Sequence, residues 1–239
     1  MLGERVAPLT AAHERTLPVL APLRDLFPGG ALRRGWVVTT AGDGATSLAL
    51  AVAAGPSAAG SWTAVVGEEG LGLAAAAEAG VVLERLLMVA APEPRGAAEA
   101  TAALVGSVDI VLVGSEVRLG AADHRRLAAR LRERGSVLVQ LGREVPGGAD
   151  VRLQVVSSRW SGLGDGWGLL HSRHVSVRAQ GRGAASRPRS VDLLLPGPDG
   201  APVLAEDRSD RLPAGAGEPA TPALPGAALP DNGASAVVA

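Results

Sequence analysis

Gly35-Trp36-Val37-Val38-Thr39-Thr40, Ala41-Gly42-Asp43-Gly44-Ala45-Thr46-Ser47 and Leu48-Ala49-Leu50-Ala51-Val52-Ala53-Ala54 follow one another without a break, and their reading decides the fold. The first piece reads as an apolar strand, the second as a glycine loop, the third as the opening of a helix. Such a unit cradles phosphate: backbone N–H groups at the helix N-terminus hold the phosphates, a lysine reaches the β- and γ-phosphates, and a Ser or Thr hydroxyl holds magnesium. Gly44 and Thr46 stand where the last glycine and the hydroxyl belong, but Ala45 takes the lysine position. The chain has no lysine anywhere, since all 23 of its basic residues are arginines. The layout of a nucleotide-binding α/β domain is present without its cation. Gly42, Gly44, Ala45, Thr46 and Ser47 therefore read as a degenerate loop, at which no cofactor is expected.

Outward from this loop the chain repeats strand–helix units. Trp62-Thr63-Ala64-Val65-Val66 reads as a strand, residues 71–79 as a small-residue helix, Leu86-Leu87-Met88-Val89 as a strand and residues 97–105 as a helix. Val108-Asp109-Ile110-Val111-Leu112-Val113 has the continuous, β-branched apolar run of a strand buried on both faces. Asp123 is placed to cap a helix running through Leu127, Ala128 and Leu131, and Ser136-Val137-Leu138-Val139-Gln140-Leu141 closes the series. Strands alternating with helices of about ten residues predict a mainly parallel sheet covered on both faces.

The pattern changes at Asp150. Residues 151–156 and 174–178 alternate at period two around a Gly- and Trp-rich loop expected over 157–168, and Val191-Asp192-Leu193-Leu194-Leu195 offers one more strand, which together predict an antiparallel extension. Residues 151–196 carry seven arginines against two acids, and residues 197–239 carry six acids against two arginines, so a net charge of −1 hides a basic hairpin and an acidic Pro/Ala/Gly-rich tail that reads as disordered. Arg159, Trp160, Trp167, Arg173 and Arg178 are the candidate surface for a protein partner or a nucleic-acid backbone.

Composition removes other chemistries. Without cysteine there is no disulfide, thiol nucleophile or thiolate metal site. His13, His124, His171 and His174 have no evident Ser and acid partners, and on a strand His171 and His174 point to opposite faces, so no metal is expected. The charged N-terminus lacks an apolar signal-like core, and the charge-free run over 44–67 is broken by Gly55-Pro56-Ser57, which predicts a buried helix and strand in a cytoplasmic protein rather than a membrane span.

Further pieces carry a resemblance. Asp25-Leu26-Phe27-Pro28-Gly29-Gly30-Ala31-Leu32-Arg33-Arg34-Gly35 ahead of the glycine loop resembles the entry to the RecA recombinase core. Ala64-Val65-Val66-Gly67-Glu68-Glu69 resembles its next strand, with the catalytic glutamate at Glu69, and residues 108–115 resemble its Walker B strand with the terminal acid replaced by Gly114. Within RecA-like proteins, the lysine-free loop and Ser157-Ser158-Arg159-Trp160-Ser161-Gly162-Leu163-Gly164 are most similar to the actinobacterial ImuA type. That resemblance implies a degenerate RecA-like domain over 20–196, with a basic hairpin extension at 150–196, an N-terminal extension over 1–19 and the tail over 197–239. It implies a pseudo-ATPase with Glu69 vestigial, acting through protein contacts in damage-induced translesion synthesis. An ImuB-like Y-family polymerase homologue is the implied partner and, through it, an error-prone C-family polymerase, with DNA contact left open. The alternative is a weak ATP- and DNA-dependent recombinase-like ATPase that uses Glu69 and an arginine in place of the lysine.

Overall fold

The computed structural model describes residues 15–91, 93–142, 144–163 and 168–205. They fall within one unit, Met1–Glu206, while the second unit, Asp207–Ala239, lies outside the described residues and takes most of the expected acidic tail with it.

Two short strands, β1 (Thr16–Pro18) and β2 (Ala31–Arg33), pair antiparallel ahead of the main body. The parallel core then runs β3 (Val37–Ala41), α1 (Ala45–Ala58), β4 (Thr63–Val66), α2 (Leu73–Glu78), β5 (Leu86–Val89), α3 (Pro94–Leu104), β6 (Ile110–Val113), α4 (Ala121–Arg134) and β7 (Val137–Leu141). An antiparallel section follows in β8 (Val151–Leu163), β9 (Gly168–Gly181), β10 (Arg189–Leu194) and β11 (Val203–Leu204). All but the first two strands join one sheet of order β11-β10-β9-β8-β3-β7-β6-β4-β5, parallel from β8 to β5. The mixed α/β architecture expected from the sequence is the one found.

Period-two alternation sorts the strand side chains between two cores. Val38, Val65, Ile110, Leu112 and Val139 pack with α1, α2 and the 3-10 turn at Ala21–Leu26, whereas Val37, Val66, Val111, Val113 and Leu138 pack with α3 and α4. Every residue of α1 from Leu48 to Ser57 is buried, as a helix apolar all round its circumference must be. The charge-free run thus becomes a buried helix of 14 residues and a buried strand, and among the described residues no helix is long and apolar enough to cross a membrane.

Several local expectations shift. The chain passes directly over α1 at Gly55, where a Cβ would come within 2.8 Å of the Val19 and Leu20 backbone, and Leu17 and Val19 are buried in the first core. The domain therefore begins before Leu20. At the other end, β11 pairs with β10 through Leu193–Leu204 and Leu194–Val203, so the sheet continues past Pro196. The loop expected over 157–168 contracts, because Ser157 to Ser161 pair with Ser172 to Ser176 and Leu163 with Gly168. Asp123 lies in the first turn of α4 instead of capping it, since the N-cap is Gly120; there its charge still favours the positive end of the helix.

His124 follows in α4, on one buried stripe with Leu127 and Leu131. Burial drives its imidazole below the ordinary value, opposed by the neighbouring Asp123 carboxylate. A histidine buried neutral must be protonated on unfolding, so its contribution to stability is full above the unfolded value and declines as pH falls through ~6.5 toward the lower folded value. Urea titrations between pH 7.5 and 5 are expected to show that decline, and His124→Gln is expected to flatten it; an unchanged slope in the variant would exclude His124 as its source.

Candidate functional site

Strand β3 delivers the chain into the glycine loop at the edge of the sheet where the parallel strands end, the edge at which α/β proteins hold ligands. Gly42 and Gly44 both adopt left-handed φ, +93° and +95°, which L side chains rarely adopt. Ala45 N–H donates to Gly42 O at 3.1 Å and Leu48 N–H to Gly44 O at 3.0 Å, so the loop closes as a tight turn into α1. Gly42 faces β8, where a Cβ would meet the Gln154 amide at 2.9 Å.

The mouth of the loop holds a guanidinium. Arg173 of β9 is 5% exposed, and its Cζ lies 2.6 Å from the position a Cβ on Gly44 would take. Each of its three nitrogens has a partner: Nε donates to Leu195 O at 2.8 Å, Nη2 to Ser47 Oγ at 3.2 Å, and Nη1 pairs with Asp43 Oδ1 at 3.6 Å. The guanidinium carbon also sits 5.1 Å from the centroid of the Trp160 ring, within cation–π range. Burial lowers its affinity for the proton, and the exposed Asp43 carboxylate partly restores it. The cation missing at Ala45 is supplied through space from 128 residues further along the chain.

The second nucleotide-related position is also filled with protein. Gly114, after β6, packs so tightly on Gly67 that a side chain there would overlap the Gly67 carbonyl, whose carbon lies 2.6 Å from the Cβ position. An acid at this strand end is thus excluded by the backbone as well as absent from the sequence. Glu68 sits beside it and accepts from Ser115 N–H at 2.9 Å, and buried Gln140 donates to Gly114 O at 3.0 Å. Glu69, given the catalytic position by the resemblance, is exposed; of the two adjacent acids it is Glu68 that bonds to the end of β6.

The five-residue hairpin surface divides. Trp160 lies opposite Arg173 and Arg159 opposite His174, so Trp160 and Arg173 share one face while Arg159 and Arg178, both exposed, share the other. Arg173 belongs to the buried face with Val175 and Val177 and is unavailable as a solvent-facing phosphate ligand. Trp167 lies outside the described residues. Sequence reasoning found both loop and arginine but missed their contact, because a period-two strand shows which face Arg173 takes without showing what lies against it.

The model of the MT3502 N-terminal domain family matches residues 25–147, just over half of the chain. This chain belongs to that family. The matched span holds β3 to β7 and stops short of β8, so Arg173 reaches the glycine loop from outside it. A Mycobacterium tuberculosis protein described as the uncharacterized protein Rv3395c is 35% identical over 117 residues, a match covering 48% of this chain and 56% of that one. The chain therefore spans little more than half the length of this curated relative. Among solved structures, the flagellar accessory protein FlaH from Methanocaldococcus jannaschii superposes with a TM-score of 0.52 at 11% identity, over 80% of this chain and 98% of that one. With the sheet order above, the likeness establishes a RecA-like fold.

Two substitutions test this site. Gly114→Asp is expected to destabilise the protein by about 2 kcal/mol or more in chemical denaturation, because the backbone must open to admit any side chain. Equal stability would mean that the strand end has room for an acid. Arg173→Ala leaves a void beside Gly44 and is expected to cost about 2 kcal/mol or more. Arg173→Met keeps the volume and is expected to recover much of that loss, as apolar replacements of buried charges often do.

Proposed function

We propose that this family member is an ImuA-type, non-catalytic RecA-like accessory protein that acts in the cytoplasm by binding other proteins of an error-prone DNA-repair assembly. The observation that carries the non-catalytic part is the commitment of Arg173. With every guanidinium nitrogen engaged by Leu195, Ser47 or Asp43, the cation at the loop is spent on internal contacts. The packing of Gly114 on Gly67 supports the same reading, since phosphoryl transfer relies on a magnesium ion organised from this strand end. On this reading the direct partner is an ImuB-like Y-family polymerase homologue, with an error-prone C-family polymerase reached through it. Of the hairpin candidates among the described residues, Arg159 and Arg178 on one face and Trp160, 40% exposed, on the other are open to such a contact.

A second reading has one observation in its favour. Arg173 stands against Ser47, one residue past the magnesium-binding position, so an arginine in place of the lysine does reach the loop. A weak ATP- and DNA-dependent ATPase would use it there, with Glu69 as base.

Nucleotide and partner assays separate the two. The non-catalytic reading expects no thermal shift with ATP and magnesium, whereas ligand at a hundredfold over its dissociation constant would stabilise by about 2.7 kcal/mol. It also expects no phosphate release with single-stranded DNA and co-purification of a Y-family-like protein from DNA-damaged cells. Steady hydrolysis abolished by Glu69→Gln would establish the second reading in its place.

A further inference from the structure

A cleft lies at the opposite end of the sheet from the glycine loop, where β3 and β7 begin and α4 ends. It measures about 880 Å³ and is lined by Arg15, Arg33, Arg34, Arg132 and Arg134 around Trp36. We propose that this cleft is a binding site for single-stranded nucleic acid, which it holds through the phosphate backbone.

The arginines are brought together by a close backbone approach. Gly35, with φ +83°, turns the chain from β2 into β3, and a Cβ there would lie 3.0 Å from Arg132 Cα. Its N–H donates to Ser136 O at 3.0 Å, which seats the Arg33–Arg34 turn against the end of α4. Arg34 then fastens the junction, pairing with Asp109 Oδ1 at 2.9 Å and donating to Gly135 O at 3.0 Å. The stem of Arg134 packs on Gly106, 2.9 Å from the position of a Cβ there. Among the described residues Arg15, Arg33, Arg132 and Arg134 make no ion pair, and all four are exposed.

Two acids line the same cleft, Glu133 and Asp150, against five arginines. Asp150 is already engaged, accepting from Val37 N–H at 2.8 Å and pairing with Arg182 at 3.3 Å. The cleft therefore carries a surplus of guanidinium groups on a fixed frame. Complementing the negative end of α4 accounts for Arg132 and Arg134, the basic residues of its last turn, but not for Arg15 and Arg33, which stand on other elements. Guanidinium groups suit phosphate because their planar donors match its oxygens, and a basic groove with an aromatic ring is the combination that takes single strands. Trp36, half-buried against the first core, is the aromatic residue that lines this cleft. The site is separate from the hairpin surface and independent of the reading of the glycine loop.

The test is fluorescence anisotropy of a labelled oligo(dT) with the full chain across a salt series. Counterion release gives single strands a log–log salt slope of about −0.7 per phosphate contact, so Arg33→Ala/Arg132→Ala/Arg134→Ala is expected to flatten the slope by about 2 and to weaken binding at least tenfold. Arg33→Lys/Arg132→Lys/Arg134→Lys is expected to retain the slope, which separates lost charge from lost folding, and both triple variants are to be compared at matched melting cooperativity. Arg159→Ala/Arg178→Ala on the hairpin is expected to leave binding within twofold. The proposal is overturned if the wild-type chain does not bind oligo(dT), if the cleft variant keeps its slope, or if the hairpin variant alone loses binding. It is equally overturned if poly-glutamate displaces oligo(dT) at equal charge concentration, which would make the cleft a site for acidic polypeptide.

Discussion

A guanidinium removed from water needs hydrogen-bond acceptors and a counter-charge, and here the groups that supply them belong to three parts of the chain. Leu195 follows β10, Ser47 opens α1 and Asp43 sits in the glycine loop, so Arg173 ties the antiparallel strands to the parallel core through one side chain. Breaking a buried charge from its partners costs several kcal/mol, which makes this contact a strong constraint on how β9 lies against the loop. The constraint also bears on sequence: a side chain at position 44 would have to push the guanidinium away from its acceptors.

The parallel core was legible because its signals are local. Continuous apolar strands, glycines at loop ends and a helix without a polar face each follow from a few adjacent residues, and all recur in β3, α1, β6 and β7. What stayed hidden depends on residues far apart. Ser157-Ser158-Arg159-Trp160-Ser161 reads as a loop by composition, yet pairing with Ser172 to Ser176 makes it strand. The buried setting of Arg173 was invisible for the same reason, since basic residues on an alternating strand are ordinarily assigned to water. Gly114 read as a lost acid, while the cause, its contact with Gly67, exists only once β4 and β6 lie side by side.

The two ends of the sheet carry different chemistry. At the end where the parallel strands finish, Arg173 turns inward to its acceptors and Glu68 bonds to Ser115, while Asp43 and Glu69 stay exposed. At the end where they begin, Arg34, Asp109 and Asp150 serve the frame while other arginines stay free of ion pairs among the described residues. Strand β3 spans both ends, so a change of register there would disturb both.

Only the root of the long β8–β9 hairpin is held by the sheet. Strand β3 pairs with β8 from Val151 to Gln154 and β10 with β9 from His174 to Ala179, whereas from Ser157 outward β8 pairs with β9 alone. A two-stranded ribbon is marginally stable by itself in water. Strand β9 keeps its bonds to β10 and to the Leu195–Pro196 segment as far as Arg173, so the ribbon has only its own two strands beyond the Trp160–Arg173 stack, and there its amides are expected to exchange with solvent before those of the core.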